Sequence, residues 1–295
     1  MTHNNMGSGL ILPQRKEKMF QLFKYTIYGL LLYSVGFFLW QDYSALVHTH
    51  SDGISFKDIG EAFAQSLDTF AWYILLILFE LETYVIESDE THRRYKWLLR
   101  TIYLICYATI TWALIGYIEK MLMVYAFDVS PLKDACQMVG TQVKSLALEL
   151  DEYVTLTADN CSQLVQPLYV NSNIGMVSGS DVLLSMKRMA STDVLNAATW
   201  LLIVVVLQID VLLQLWGRLT TALYKINLYI KITLYIILFI CAGYWWFFGT
   251  YIDFQDAALW ILAFFFIELN LFKWHEEENM PEAEHIHPHP HEEGL

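Results

Sequence analysis

The sequence predicts an all-α integral membrane protein. It has six transmembrane helices arranged as three parallel-repeat helical hairpins, with a small, mostly helical extramembrane insert between helices 3 and 4. Three observations carry this. Of 295 residues, 56% are hydrophobic and only 17% charged, more apolar than a soluble domain of this size. Apolar runs long enough to span a bilayer, about 18 residues or more, cover 22–40, 69–86, 97–118, 197–216, 226–248 and 257–274. Polar residues also return at fixed offsets from three tryptophans inside those runs.

The elements follow in chain order. Residues 1–21 form a short polar segment with Arg15, Lys16 and Lys18. The first span follows directly, and because no small-residue cleavage site comes after Trp40 it reads as part of the mature fold, not a signal peptide. Residues 22–127 hold spans one to three and their connections. The link between spans two and three carries Arg93, Arg94, Lys96 and Arg100, and the link between four and five carries Arg218, Lys225 and Lys231. The opposite links are poor in Lys and Arg, so the positive-inside rule places both termini in the cytoplasm and points to a bacterial inner (plasma) membrane. Residues 128–194 form the insert, expected in the periplasm. Ser130-Pro131 reads as a helix start, "LKDACQMVGTQVKSLALEL" as its continuation, and Cys136 and Cys161 as a disulfide pair in an oxidising compartment. Residues 195–274 hold spans four to six.

The repeat is visible in two alignments. A basic residue, Lys18, Arg93 or Lys225, stands eight positions before a Thr-(Ile/Leu)-Tyr triplet at Thr26, Thr101 and Thr233. Spans two, four and six align on Trp72, Trp200 and Trp260, read as interfacial aromatics. Asp68, Asn196 and Asp256, four residues before each Trp, have the chemistry of helix N-caps. Glu80, Gln208 and Glu268 follow each Trp by eight residues, and Glu82, Asp210 and Asn270 by ten. Thr-to-Trp spacings of 46, 99 and 27 place the insert in the second unit.

Eight to ten residues past an interfacial Trp is about 12–15 Å inward, close to the bilayer midplane. A carboxyl there costs roughly 2.5–3.5 kcal/mol on insertion scales, which marks a function or a partner. No Lys, Arg or His is assigned to that depth. The acids therefore read as an ion path or polar intramembrane site made of Glu80, Glu82, Gln208, Asp210, Glu268 and Asn270. Residues two apart on a helix point about 200° apart. The layer of Glu80, Gln208 and Glu268 is therefore expected to face the shared axis, and the other layer to lock helices together.

Residues 275–295 form an acidic, His-rich cytoplasmic tail in which His285, His287, His289 and His291 alternate with Ile or Pro. Such a tail suits a soft divalent metal, Zn, Ni or Cu, although the fold requires no cofactor. "HTHSD" from His48 offers a weaker outer site. A net charge of −13 and the absence of a basic stripe exclude nucleic acid as a partner. No nucleophile–base set or nucleotide-binding motif is present, so the chain reads as a non-enzyme. Two functions fit: a channel or carrier handling cations or protons through the carboxylates of helices 2, 4 and 6, or a membrane subunit or scaffold whose acidic helices dock against partner spans. The expected partners are the lipid bilayer and further copies of the chain or other membrane subunits. The charge asymmetry predicts that membrane-impermeant thiol reagents applied from the periplasmic side label a cysteine introduced at Asn171 and leave one at Arg93 untouched. Labelling at Arg93 reverses the orientation.

Overall fold

In lipid each backbone N–H and C=O needs a partner within its own segment, so long apolar runs become helices. The computed structural model describes residues 11–49, 55–56, 58–84, 89–164, 166–216 and 220–278. The order is α1 (Ile11–Thr49), α2 (Ile59–Ala62), α3 (Ala64–Tyr84), α4 (Asp89–Tyr125), β1 (Asp128–Val129), β2 (Ser145–Ala147), β3 (Tyr153–Thr155), β4 (Leu168–Asn171), β5 (Met176–Gly179), α5 (Ser180–Leu215), α6 (Thr221–Phe248) and α7 (Tyr251–Glu278). Five helices are long and apolar enough to cross a membrane, over Gln21–Thr49, Ala64–Leu81, Lys96–Tyr125, Ser180–Asp210 and Ala222–Phe248. The sixth apolar run is helical as α7, and its side chains from 265 onward lie outside the described residues.

Each of α1, α3, α4, α5, α6 and α7 packs against the next, and α7 returns to α1, so the six close into a ring. α1, α4 and α6 turn large apolar side chains outward, among them Leu39, Leu104 and Phe239. α3, α5 and α7 bring Trp72, Trp200 and Trp260 inward, each 6–7% exposed. Around these rings pack Ile27, Leu31, Ile110, Ile203 and Leu238. The tryptophans therefore sit at the centre of the bundle, facing its axis and not the lipid.

The insert corrects the helical expectation. It folds as a five-stranded mixed sheet in the order β1-β4-β5-β2-β3, with β2 parallel to β5 and the other pairs antiparallel. Gly140 adopts φ +79°, a left-handed conformation that ends any helix. Ser130 accepts a hydrogen bond from Leu132 N two residues on, forming a turn in place of a cap. All three residues of β2 are buried, because the sheet is covered on both faces. Ala147 and Met176 pack toward Ala45, Val124, Leu183 and Met186 of the helices. Their neighbours Leu146 and Val177 pack on the opposite side, with Met138, Leu168 and Cys161. Burial on both faces removes the polar alternation by which a strand is recognised, so "SLALEL" reads as helix. Cys136 and Cys161 are joined in a disulfide with Cα atoms 4.9 Å apart, within that outer layer. Cys106 and Cys241 are free and buried among the helices.

Sheet and bundle are tied by Lys120 Nζ donating to Asp151 Oδ1 at 2.7 Å, by Asn171 Nδ2 donating to Met123 O at 3.1 Å, and by His48 Nδ1 at 3.2 Å from Ser145 Oγ. At the edge of the bundle, α2 lies so close to α4 that a Cβ added at Gly116 would collide with the Gly60 carbonyl. Gly36 of α1 meets nothing within 4 Å of an added Cβ. Ala is favoured over Gly in a helix by about 0.5–1 kcal/mol. Gly36→Ala is therefore expected to leave the thermal midpoint in detergent unchanged or raised, and Gly116→Ala to lower it by about 1–3 kcal/mol of stability. A raised midpoint for Gly116→Ala overturns the close α2–α4 contact.

Candidate functional site

A helix places residues three, four and seven apart on one face. In α3 these are Gln65, Asp68 and Trp72; in α5, Asp193, Asn196 and Trp200; in α7, Asp253, Asp256 and Trp260. The ring turns all three faces inward, so the nine side chains stack as three layers around one axis and line a single cavity of about 60 Å³ on the sheet side of the tryptophans. Phe38, Thr69, Tyr117, Trp245 and Phe264 complete its wall. The floor is closed by aromatic contact. Ring centroids lie 6.2 Å apart for Trp72 and Trp200, 6.5 Å for Trp72 and Trp260, and 4.6 Å for Trp200 and Phe264.

The carboxyls are held by short polar contacts. Asp253 Oδ1 accepts from Gln65 Nε2 at 3.2 Å, and Oδ2 accepts from the Thr250 hydroxyl at 2.7 Å. Asp193 lies within polar reach of the Trp245 side chain, Asp68 of Trp72, and Asp256 of Ser34 and Trp260. Asp68 Oδ1 and Asp256 Oδ1 are nevertheless buried with no hydrogen-bond partner among the described residues. A third such atom is Asp42 Oδ1 of α1, whose Oδ2 accepts from Ser66 N at 3.0 Å and Ser66 Oγ at 2.7 Å.

A second cavity of about 50 Å³ adjoins the first, sharing Gln65, Asp193, Trp245 and Asp253. It runs beneath the β2–β3 loop, where Glu149, Leu150 and Asp151 line it opposite Gln41 and Ser185. Acid crowding continues here: burial first, and then Glu152, Asp253 and Asp151, pushes the Glu149 carboxyl up. Burial, followed by the Asp151 charge, pushes the Tyr153 phenol up as well, so it remains a neutral donor to the Leu150 carbonyl.

Beyond the tryptophans, toward the chain termini, a third cavity of about 160 Å³ is lined mainly by apolar residues, among them Leu75, Leu76, Phe79, Tyr103 and Val204. Gln208 borders it and is itself exposed. Glu80 lies further along, and the structure corrects the expectation that it lacks a cation. Lys24 Nζ donates to Glu80 Oε2 at 2.7 Å, and the Tyr28 hydroxyl donates to Oε1 at 2.7 Å. Glu80 thus turns to α1, not to the axis. Asp210 is likewise paired: Lys231 Nζ donates to Oδ2 at 2.8 Å and Asn227 Nδ2 to Oδ1, joining α5 to α6. Both lysines stand two residues before the triplet threonines. Lys231, read as part of the connection between spans four and five, lies inside α6. The side chains of Glu82, Glu268 and Asn270 lie outside the described residues, as do His285, His287, His289 and His291.

Asp68, Asn196 and Asp256 are not helix caps. α3, α5 and α7 begin at Ala64, Ser180 and Tyr251, upstream of each. Their recurrence four before Trp is legible in the sequence; the layer seven before Trp (Gln65, Asp193 and Asp253) lies one further turn along the same helix face, and that helical period is the signal that finds it. Among the described residues, no group of three or more His, Cys, Asp or Glu is placed to hold a metal ion. No family model, curated protein or solved structure matches the chain.

The ion pairs generate a stability test. The Lys24 and Glu80 side chains are 7% and 16% exposed, so removing one partner strands a buried charge, at a cost of about 3–5 kcal/mol. Lys24→Met is expected to destabilise the protein in denaturant by that order, and adding Glu80→Gln to recover most of the loss. Additive losses in the double mutant would refute the pairing.

Proposed function

We propose that this protein handles protons or small cations across a membrane, as a channel or carrier, through carboxylates on the second, fourth and sixth spans. The observation that carries the reading is the acid-lined cavity at the centre of the ring, where Asp68 Oδ1 and Asp256 Oδ1 are buried without partners. Like charges crowded in a low-dielectric space repel, and an isolated buried carboxylate is expensive. Four carboxyls there, Asp68, Asp193, Asp253 and Asp256, need protons or a cation to balance them. Lys120, which lies within electrostatic reach of Asp42 and Asp193, is already bonded to Asp151.

In this reading α7 is the sixth span and the chain is three parallel hairpins, α1–α3, α4–α5 and α6–α7. The convergence of residues at equal offsets from Trp72, Trp200 and Trp260 supports that symmetry. Both termini lie in the cytoplasm of a bacterial inner membrane, so the acidic mouth beneath the sheet faces the periplasm and the Lys24–Glu80 and Lys231–Asp210 pairs face the cytoplasm. The aromatic floor is the barrier between the sides. The chain is a non-enzyme that needs no cofactor; the His-rich tail is a secondary metal-binding segment, and assembly is homo-oligomeric.

A scaffold or subunit role is the second reading. It is favoured by Gln208, a polar side chain exposed on α5 toward the terminal side, where a partner span would satisfy it. Proteoliposomes separate the two. Asp68→Asn and Asp256→Asn are expected to cut proton or cation flux at least tenfold while the protein still elutes as a folded species, and Gln208→Leu to leave flux intact. Equal flux in wild type and both Asp variants sinks the transport reading.

A further inference from the structure

The two sheet-side cavities differ from the rest of the molecule in combining unpartnered carboxyl oxygens with indole rings. Resting on the cation-handling reading above, we propose that they form one binding site for a small ammonium-type cation, ammonium or methylammonium, gripped by Asp68 and Asp256 and enclosed by Trp72, Trp200, Trp245 and Trp260.

Chemistry selects this class. The two orphan oxygens, Asp68 Oδ1 and Asp256 Oδ1, belong to the layer directly above the aromatic floor. Each is an acceptor with nothing to accept from, and a buried unsatisfied acceptor is costly. Ammonium groups carry several N–H donors and a positive charge, and so suit a chamber that two helices line with the carboxyls of Asp68 and Asp256. Asp193 and Asp253 are already engaged by Trp245, Gln65 and Thr250; they add field at the throat without competing for the same protons. A bare metal ion instead needs several ligands converging at fixed distance, and the described residues supply no such group.

Here the aromatic rings stand beside carboxyls. Trp72, Trp200, Trp245 and Trp260 line the cavity together with Phe264 and Tyr117. Indole rings attract ammonium ions by cation–π interaction, and more strongly where water is excluded. Sodium, which keeps its hydration more tightly, gains less from such a wall, and potassium, close to ammonium in size and hydration, lacks its directed N–H donors. Size sets the upper limit. A cavity of about 150 Å³ accommodates a benzene ring of six heavy atoms, so about 60 Å³ holds only two or three. Methylammonium fits and choline does not.

Entry is provided by the adjoining cavity. Glu149 and Asp151 stand at its mouth and Asp193 and Asp253 at the junction, a line of acids that raises the local cation concentration. The β2–β3 loop that carries Glu149 and Asp151 lies over this mouth and is anchored by the Lys120–Asp151 pair.

Isothermal titration of the full chain in nanodiscs, at constant ionic strength, tests the assignment with ammonium chloride, methylammonium chloride, potassium chloride, sodium chloride and choline chloride. The expected result is saturable binding of ammonium and methylammonium, at least tenfold weaker binding of potassium and sodium, and none of choline. Asp68→Asn and Asp256→Asn should each weaken methylammonium binding at least tenfold, and Trp200→Leu should weaken it with little change for potassium. The wild-type series stands by itself should a variant not fold. Potassium or sodium binding as tight as methylammonium overturns the inference and leaves cation handling intact, as does flux that depends on Asp68 and Asp256 without ammonium binding. Absence of any cation binding, or binding undiminished in both Asp variants, also overturns it. Methylammonium binding without flux of any cation upholds the site and removes the transport reading.

Discussion

The contact among Trp72, Trp200 and Trp260 is the constraint on which the rest of the structure depends. Lipid gives apolar helices no hydrophobic reason to associate, so packing and polar contacts must hold them together. Three large rings from alternate helices, filled in by Phe264, provide that packing at the bundle centre. Once the rings meet, the helical period decides what lies above them. Residues four and seven positions upstream face the same axis, and in this chain all six are Asp, Asn or Gln. A dry aromatic floor and a polar chamber are thus two consequences of one alignment.

The bundle treats its buried charges in two ways. Toward the chain termini they are paired: Lys24 with Glu80 and Lys231 with Asp210, each pair joining neighbouring helices. Such pairs fix the rotation and axial shift of one helix against the next, because a lysine that slides a turn loses its carboxylate. Toward the sheet, carboxyls gather without a matching set of lysines among the described residues; Lys120 is bonded to Asp151. Pairing on one side and accumulation on the other is an asymmetry that helix locking alone does not need, and it is the physical basis for reading the sheet-side chamber as the functional end.

The sheet takes its place from the same geometry. α5 has 36 residues and is about 54 Å long at 1.5 Å per residue, far more than the bilayer core of about 30 Å. Its first turns give the sheet a face to pack on, through Leu183, Met186 and Ala190. The disulfide secures the layer on the far side of the sheet. The β2–β3 loop is held over the cavity mouth by Lys120, so the chain covers its acid-lined chamber with its own inserted residues.

Hydropathy is a sum along the chain, and the sequence by itself was enough to determine what depends on such sums: a membrane protein, the helical runs, an insert over 128–194 between them, and polar residues locked in register with three tryptophans. Facing and pairing depend on which helices lie side by side and how far each is shifted, and only the tertiary structure decided those. Trp72, Trp200 and Trp260 are apolar enough for an interface or a core, and nothing local tells the two apart; placing them at the centre moved Glu80 and Asp210 out to their lysines and brought Asp68 and Asp256 in. β2 looked helical because burial on both faces erased its alternation, a property conferred by the α5 platform on one side and the disulfide layer on the other. The candidate site was therefore legible as a spacing and illegible as a place: a spacing belongs to one helix, whereas a cavity exists only where three of them meet.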